Sequence, residues 1–416
     1  MGEEISPLLA DLIDLGIVLV GFALLMGGGD ALVRGAIALA ARLKISPLLI
    51  GMTVVAMGTS APELMVSILS ALSDHADIAI GNVIGSNIAN VLLVLGVPIL
   101  IYPMQTAQPG VQRQTTIMMA MSLGFVGLLF LGTIGRIEGL VLLVALAVFL
   151  YTCARGDVQL TALEEVQEQL GEATQKQLPY WQIVSWLLLG LALLPLGADF
   201  VVKSGSSLAL SWGISEAVIG LTIVALGTSL PELATTVAAA FRKSIDVALG
   251  NVIGSNIFNM LTIVGITGVI VDLDIAEAFL QFDVWVMLLA SLLLTVLVWR
   301  KQVLGLKTGL VLLPLGADFV VKSGSSLALS WGISEAVIGL TIVALGTSLP
   351  ELATTVAAAF RKSIDVALGN VIGSNIFNML AIVGITGVIV DLDIAEAFLQ
   401  FDVWVCLLYT SDAADE

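Results

Sequence analysis

Charge is scarce in this chain. Of its 416 residues only 12% are charged, against 58% apolar, and the mean hydropathy is +1.06. So small a charged fraction excludes an ordinary soluble domain. Cysteine is nearly absent: Cys153 and Cys406 provide neither a disulfide framework nor metal-ligand spacing. The single histidine, His75, stands between Asp74 and Asp77 and reads as a solvated residue of a short outer loop. No nucleotide-binding loop and no enzyme motif occurs, which excludes work driven by nucleotide hydrolysis. The alternating pattern of a membrane barrel is missing too. The opening residues, MGEEISPLLADLIDLG, lack the basic region of a cleavable signal, so the first apolar segment is expected to be retained.

What is present is apolar length. Stretches long enough to cross hydrocarbon as a helix, about 20 residues, recur at roughly 12–40, 46–72, 78–102, 114–133, 136–153, 181–210, 214–241, 245–271, 280–299 and 303–329. Backbone groups in lipid must be satisfied within their own segment, so the expected fold class is all-α, a polytopic membrane protein of ten transmembrane helices. Lys and Arg set the orientation. With the N-terminus outside, the inner side receives Arg34, Arg42, Lys44, Arg113, Arg242 and Lys243 among others, and the outer side little more than Arg136 and Lys203. The acidic run RGDVQLTALEEVQEQLGEATQKQLP at 155–179 then reads as a solvated cytoplasmic linker, followed by the interfacial anchors Tyr180, Trp181 and Trp186.

The chain repeats itself. Asp30 matches Asp199, Gly51 matches Gly220, Glu63 matches Glu232 and Asn90 matches Asn259, always 169 residues apart, and about half of the positions in 51–96 are identical to 220–265. Five spans separate equivalent points. An odd number reverses the direction of crossing, so residues 1–155 and 180–311 are expected to be inverted repeats joined by the linker 156–179, the architecture of secondary transporters with a site near the midplane.

The repeated core is TVVAMGTSAPEL at 53–64 and TIVALGTSLPEL at 222–233. A carboxylate within a membrane is costly and faces a bundle interior or a watery cavity. No Lys, Arg or His of the neighbouring spans lies at comparable depth to Glu63 or Glu232, which points to a bound cation as the partner. Thr59, Ser60 and Glu63 fall at i, i+1 and i+4, placing the Thr hydroxyl and the carboxylate on one face. Pro62 removes a donor and clashes with the carbonyl of Gly58, which is expected to open the helix and free carbonyls near Ala56; Pro231 does the same near Ala225. Oxygen-rich, opened helices of this kind suit a hard cation such as calcium. GNVIGSN at 81–87 and 250–256 adds a polar stripe, Ser86 with Asn90 and Ser255 with Asn259, and glycines that allow close helix approach. Asn82 and Asn251 read as helix caps, and Asp30 and Asp199 as structural or gating residues.

These two motifs, GTSAPE and GTSLPE, each followed by GNVIGSNIxN, resemble the alpha repeats of the cation/calcium antiporter superfamily, and within it the bacterial calcium/sodium antiporters. The resemblance spans residues 10–310. It implies an antiporter, not an enzyme, of the bacterial inner membrane that exchanges calcium for sodium by sliding a gating pair of helices past a fixed core. It needs no cofactor and no nucleic acid; its partners are the two ions and the lipid bilayer. It also implies a ligand set: carboxylates of Glu63 and Glu232, hydroxyls of Thr59, Ser60, Thr228 and Ser229, carbonyls of Ala56 and Ala225, and side chains of Ser86, Asn90, Ser255 and Asn259. Asn259 occupies a position where sodium/calcium exchangers, potassium-dependent ones included, can carry Asp, so the site is less acidic and potassium dependence is not implied. Two carboxylates balance one divalent ion or several sodium ions, the condition for obligate exchange. Calcium/proton antiport and a cation channel remain alternatives.

A third copy is of another kind. Leu193–Val286 recurs at Leu312–Val405, 119 residues on, with one change, Thr262 to Ala381. Near-identity over 312–405 reads as a mis-join, not as a diverged repeat, and the tail 406–416, CLLYTSDAADE, matches the translation of an adapter used to prepare DNA libraries. The copy carries its own Thr347, Ser348, Glu351, Ser374 and Asn378, which could compete with 193–286 and leave an inactive chimera. Long-read sequencing of the source gene is expected to find ten spans and no third copy; an intact copy there overturns the mis-join.

Overall fold

The computed structural model describes residues 7–73, 76–107, 110–155, 178–211, 225–301, 303–330, 351, 354–355, 364–378 and 388. His75, Thr347, Ser348, most of the 156–179 linker and the 406–416 tail lie outside the described residues. The chain divides into two compact units, Met1–Ala353 and Thr354–Glu416.

The first unit is a helical bundle. Its elements are α1 (Pro7–Leu43), α2 (Pro47–Thr59), α3 (Ala61–Leu72), α4 (Ala76–Ile101), α5 (Val111–Leu129), α6 (Arg136–Arg155), α7 (Tyr180–Ser211), α8 (Ala225–Thr228), α9 (Leu230–Phe241), α10 (Ile245–Ile270), α11 (Phe279–Trp299) and α12 (Leu306–Ser330). Among the described residues six helices are long and apolar enough to cross a membrane, or seven when α2 and α3, bent by 43° at their junction, count as one. The break follows from the sequence: Ser60 leaves helical geometry (φ −83°, ψ 6°) and Pro62 restarts the helix, since its ring tolerates a first turn and not an interior.

Glycine sets the tightest contact. Gly21 and Gly28 of α1 face Gly197 and Gly190 of α7, and a Cβ on Gly190 would lie 2.6 Å from Leu32 Cβ and 2.8 Å from the Gly28 carbonyl. Low residue numbers of α1 meet high ones of α7, so the two helices run antiparallel and nearly touch at the backbone. Beside them Asp30 of α1 pairs with Arg34 at 2.8 Å and with Arg242, which closes the C-terminal end of α9; on α7, Asp199 pairs with Lys203 at 2.9 Å. Arg34 and Arg42 lie over Trp186 and Tyr180, tying the expected aromatic anchors of α7 to α1.

The all-α expectation needs one addition. Two short antiparallel ribbons cross the bundle's ends: β1 (Met104–Gln105) pairs β4 (Val303–Leu304), and β2 (Thr133–Ile134) pairs β3 (Leu273–Asp274). Two-residue strands carry no alternation to read in advance. The helices beside them match in the same way, with α6 packing on the end of α10 through Gly139 and Gly265, and α12 on the end of α4 through Gly309 and Gly96. α12 runs unbroken through Leu312, where the recurrence of 193–286 begins.

Residues 364–377 and 245–258 share the sequence IDVALGNVIGSNIF and are both helical. In α10 every residue from Ile245 to Phe258 except the half-buried Asp246 is buried. In the second unit its twin, α13 (Ile364–Phe377), leaves Leu368, Ile372, Ile376 and Phe377 more than half exposed. The sequence therefore sets the helix, and the surroundings set its burial.

α10 owes its depth to small residues. A Cβ on Gly250 would stand 2.6 Å from the Leu48 carbonyl of α2, a backbone atom that no rotamer change can move aside. Gly250→Ala is expected to cost about 1–3 kcal/mol, read as a lower thermal midpoint in detergent. Gly16→Ala, exposed on α1 with nothing within 4 Å, is expected to leave it unchanged or raise it.

Candidate functional site

The broken helices α2/α3 and α8/α9 carry the two GTSxPE motifs into the centre of the bundle. Thr59, Ser60 and Glu63 come from the first break, and Thr228, Ser229 and Glu232 from the second; all six are buried, Glu63 at 1% and Glu232 at 0% exposure. The two breaks meet. Ser60 Oγ donates to Glu232 Oε1 at 3.0 Å, joining residues 172 apart in sequence. No ion pair among the described residues involves either glutamate, and Glu63 Oε2 and Glu232 Oε2 have no hydrogen-bond partner. Leaving such atoms unmatched in an apolar interior costs several kcal/mol unless something neutralises them.

The carbonyl of Ala56, expected to be freed by the break, is instead engaged. It accepts from the Ser60 N–H at 3.0 Å and from Thr59 Oγ1 at 3.2 Å, because the break falls one residue later than its own turn. Ala225 opens the short α8 at the equivalent place. Thr59 Oγ1 also reaches Asn251 Oδ1 at 3.1 Å and Ser255 Oγ at 3.4 Å, so Ser255 of α10 stands beside the first motif.

Asn82 and Asn251 are not helix caps. Each sits in the interior of its helix, α4 or α10, and bridges to the neighbouring broken helix. Asn82 Nδ2 donates to Ser67 Oγ (3.0 Å) and to the Glu63 carbonyl (3.3 Å); Asn251 Nδ2 donates to Thr236 Oγ1 (3.1 Å) and to the Glu232 carbonyl (3.4 Å). Both pairs obey the 169-residue offset, which was the one signal for them: a polar position kept in each repeat. The second unit holds the same staple, Asn370 Nδ2 to Thr355 Oγ1 at 2.9 Å.

Asn90 and Asn259 each begin a π-helical turn, Asn90–Val94 and Asn259–Ile263. Such wide turns interrupt the usual ladder and gather at functional sites. Both residues are buried with Ser86 and Ser255. Asn90 Nδ2 donates to Asn256 Oδ1 at 3.1 Å while its Oδ1 has no partner; Asn259 has none at either polar atom. Of the twelve residues expected to form the site, ten therefore appear as buried polar side chains, on α2 to α4 and on α8 to α10. No three His, Cys, Asp or Glu side chains cluster among the described residues. The acidic part of the site is thus the two glutamates, surrounded by neutral oxygens, a donor set that suits hard cations and not thiophilic metals.

Comparison with known proteins agrees with this chemistry. The sodium/calcium exchanger protein family matches residues 13–155, 183–303 and 301–411. CaxA of Alkalimonas amylolytica, named as an antiporter, is 40% identical over 68% of this chain and 89% of its own length. The inner membrane protein YrbG of Escherichia coli is 37% identical over 69% and 89%, and the sodium/calcium exchanger MaX1 of Methanosarcina acetivorans 33% identical over 73% and 97%. A solved structure of the sodium-calcium exchanger NCX_Mj superposes with a TM-score of 0.64 at 30% identity, covering 74% of this chain and 97% of that one. Broken helices, paired buried glutamates and sequence likeness lead to one conclusion: the chain is a transmembrane antiporter, a transporter and not an enzyme, and belongs to the sodium/calcium exchanger family.

Proposed function

We propose that this chain exchanges calcium for sodium across a bacterial inner membrane, using Glu63 and Glu232 as the charge-compensating pair. The observation that carries the reading is that two buried, repeat-related glutamates stand on broken helices joined by the Ser60–Glu232 hydrogen bond, with no ion pair to either among the described residues. One calcium ion, or sodium ions spread over adjoining oxygens, neutralises them, and an unloaded site is expensive to carry through the membrane. That difference couples the two ions without a nucleotide. Thr59, Ser60, Thr228 and Ser229, the Ala225 carbonyl, and Ser86, Asn90, Ser255 and Asn259 are the proposed oxygen ligands, joined by the Ala56 carbonyl when the Thr59 hydroxyl turns from it to the ion.

The proposed architecture is ten spans in two inverted repeats, 1–155 and 180–311, with the N-terminus outside and the 156–179 linker in the cytoplasm. The crossed pairing of β1 with β4 and β2 with β3 supports it, as do the staples of Asn82 and Asn251. The glycine-tight pair α1 and α7 is the natural moving element, one body able to slide over the broken helices. Relatives named as sodium/calcium exchangers favour sodium over protons as the counter-ion. Residues 312–405 are proposed to be a copied fragment and 406–416 non-native.

Radioactive calcium uptake into proteoliposomes tests the reading. Vesicles loaded with sodium are expected to accumulate calcium and potassium-loaded vesicles are not, at equal pH on both sides. Glu63→Gln and Glu232→Gln each remove one buried charge, a loss of about 3–5 kcal/mol, and are expected to lower uptake more than about 100-fold. Uptake that ignores sodium and follows an acidic interior instead replaces sodium by protons as the coupling ion. Steady calcium current without any counter-ion gradient identifies a channel.

A further inference from the structure

The centre of the bundle holds two asparagines that the site described so far does not use. Asn87 of α4 and Asn256 of α10 are repeat equivalents, and each donates its side-chain N–H to the other's backbone carbonyl: Asn87 Nδ2 to the Asn256 carbonyl at 3.3 Å, Asn256 Nδ2 to the Asn87 carbonyl at 3.2 Å. Both are buried, at 2% and 0% exposure. Methionine sulfurs, Met287 for Asn87 and Met118 for Asn256, lie at 3.8 and 3.9 Å from the same amide nitrogens.

This clasp has a directional consequence. A backbone carbonyl only accepts, so the atom of Asn256 that meets the Asn87 carbonyl must be its NH2 group, and its Oδ1 is turned the other way. That oxygen needs a donor. Asn90 supplies its Nδ2 at 3.1 Å, which leaves Asn90 Oδ1, buried and without a partner, as the last atom of the relay. The orientation of an amide that would otherwise flip freely is thereby set by a backbone atom two residues away in the network. The repeat-equivalent pair, Asn87 Oδ1 and Asn259 Nδ2, makes no hydrogen bond, so the relay is made on one side only.

We infer that Asn256 is a positioning residue: clasped to the Asn87 carbonyl, it holds the Asn90 carboxamide with its oxygen directed to the transported cation. The inference rests on the proposed cation site and adds a residue that touches no ion. Replacing Asn256 with Leu keeps the volume and removes both ends of the relay, and Asn90 can then present nitrogen where oxygen is required.

The test is a double-mutant cycle on the full-length chain, read as equilibrium binding of radioactive calcium in detergent and as calcium uptake in sodium-loaded vesicles. Asn90→Ala and Asn256→Leu are each expected to weaken calcium binding about tenfold, and the double variant about tenfold again relative to the parent, not about a hundredfold. In uptake, Asn256→Leu is expected to raise the KM for calcium by more than it lowers the maximal rate. If Asn256→Leu fails to give monodisperse protein, Asn256→Ser takes its place in the cycle, since a serine hydroxyl can still donate to the Asn87 carbonyl and cannot reach Asn90. Independent, multiplicative effects, or an affinity within twofold of the parent in the Asn256 variant, overturn the inference. Calcium binding that persists while uptake proves independent of sodium overturns the exchange reading alone, because the binding cycle still reports on Asn256; a parent chain that binds no calcium overturns both.

Discussion

Two carboxyl groups enclosed by an apolar bundle require a positive partner, and among the described residues none forms an ion pair with them. Everything around Glu63 and Glu232 follows from that demand. The helices bearing them break at Ser60 and Ser229, which turns hydroxyls and main-chain groups toward the centre at the depth where the charge sits. The breaks would be loose if nothing held them. Asn82 and Asn251 bind the carbonyls of the two glutamates themselves, fixing the carboxyl-bearing residues to the straight helices α4 and α10. Buried carboxyl oxygens held in this way are costly to leave uncompensated.

The same demand explains the distribution of small residues. For α10 to reach the centre it must press on α2 at Gly250 and Gly51, where main chain meets main chain. α1 and α7 lie closer than side chains permit, and Gly21, Gly28, Gly190 and Gly197 allow it. Glycine here acts through the absence of a side chain, not through backbone freedom, since each lies within a helix.

Much of this was legible before any coordinates. A glutamate inside an apolar run announces itself, and its recurrence 169 residues on announces a partner. Thr59 and Ser60 were legible by their spacing from it. The staples were not, because a carboxamide in an apolar segment reads alike whether it caps its own helix or crosslinks another; only the packing of α4 on α3 and of α10 on α9 decides. Nor were the π turns at Asn90 and Asn259, which depend on a shift of backbone partner from four residues to five. Burial was least legible of all: IDVALGNVIGSNIF is the most enclosed helix of the bundle at 245–258 and an exposed one at 364–377.

The ion pair between Asp30 and Arg242 departs from the repeat. Arg242 is matched, 169 residues earlier, by Ser73, whose hydroxyl bonds back to the Leu69 carbonyl and carries no charge to offer Asp199. The rim of the bundle, like the one-sided Asn90–Asn256 contact at its centre, thus departs from the repeat. Any excursion that parts α1 from α9 breaks a charged contact, whereas the corresponding excursion of α7 from α3 meets only a neutral serine. The two equivalent ends of the repeat are thereby unequal in what they cost to open, although their motifs are spelled almost alike.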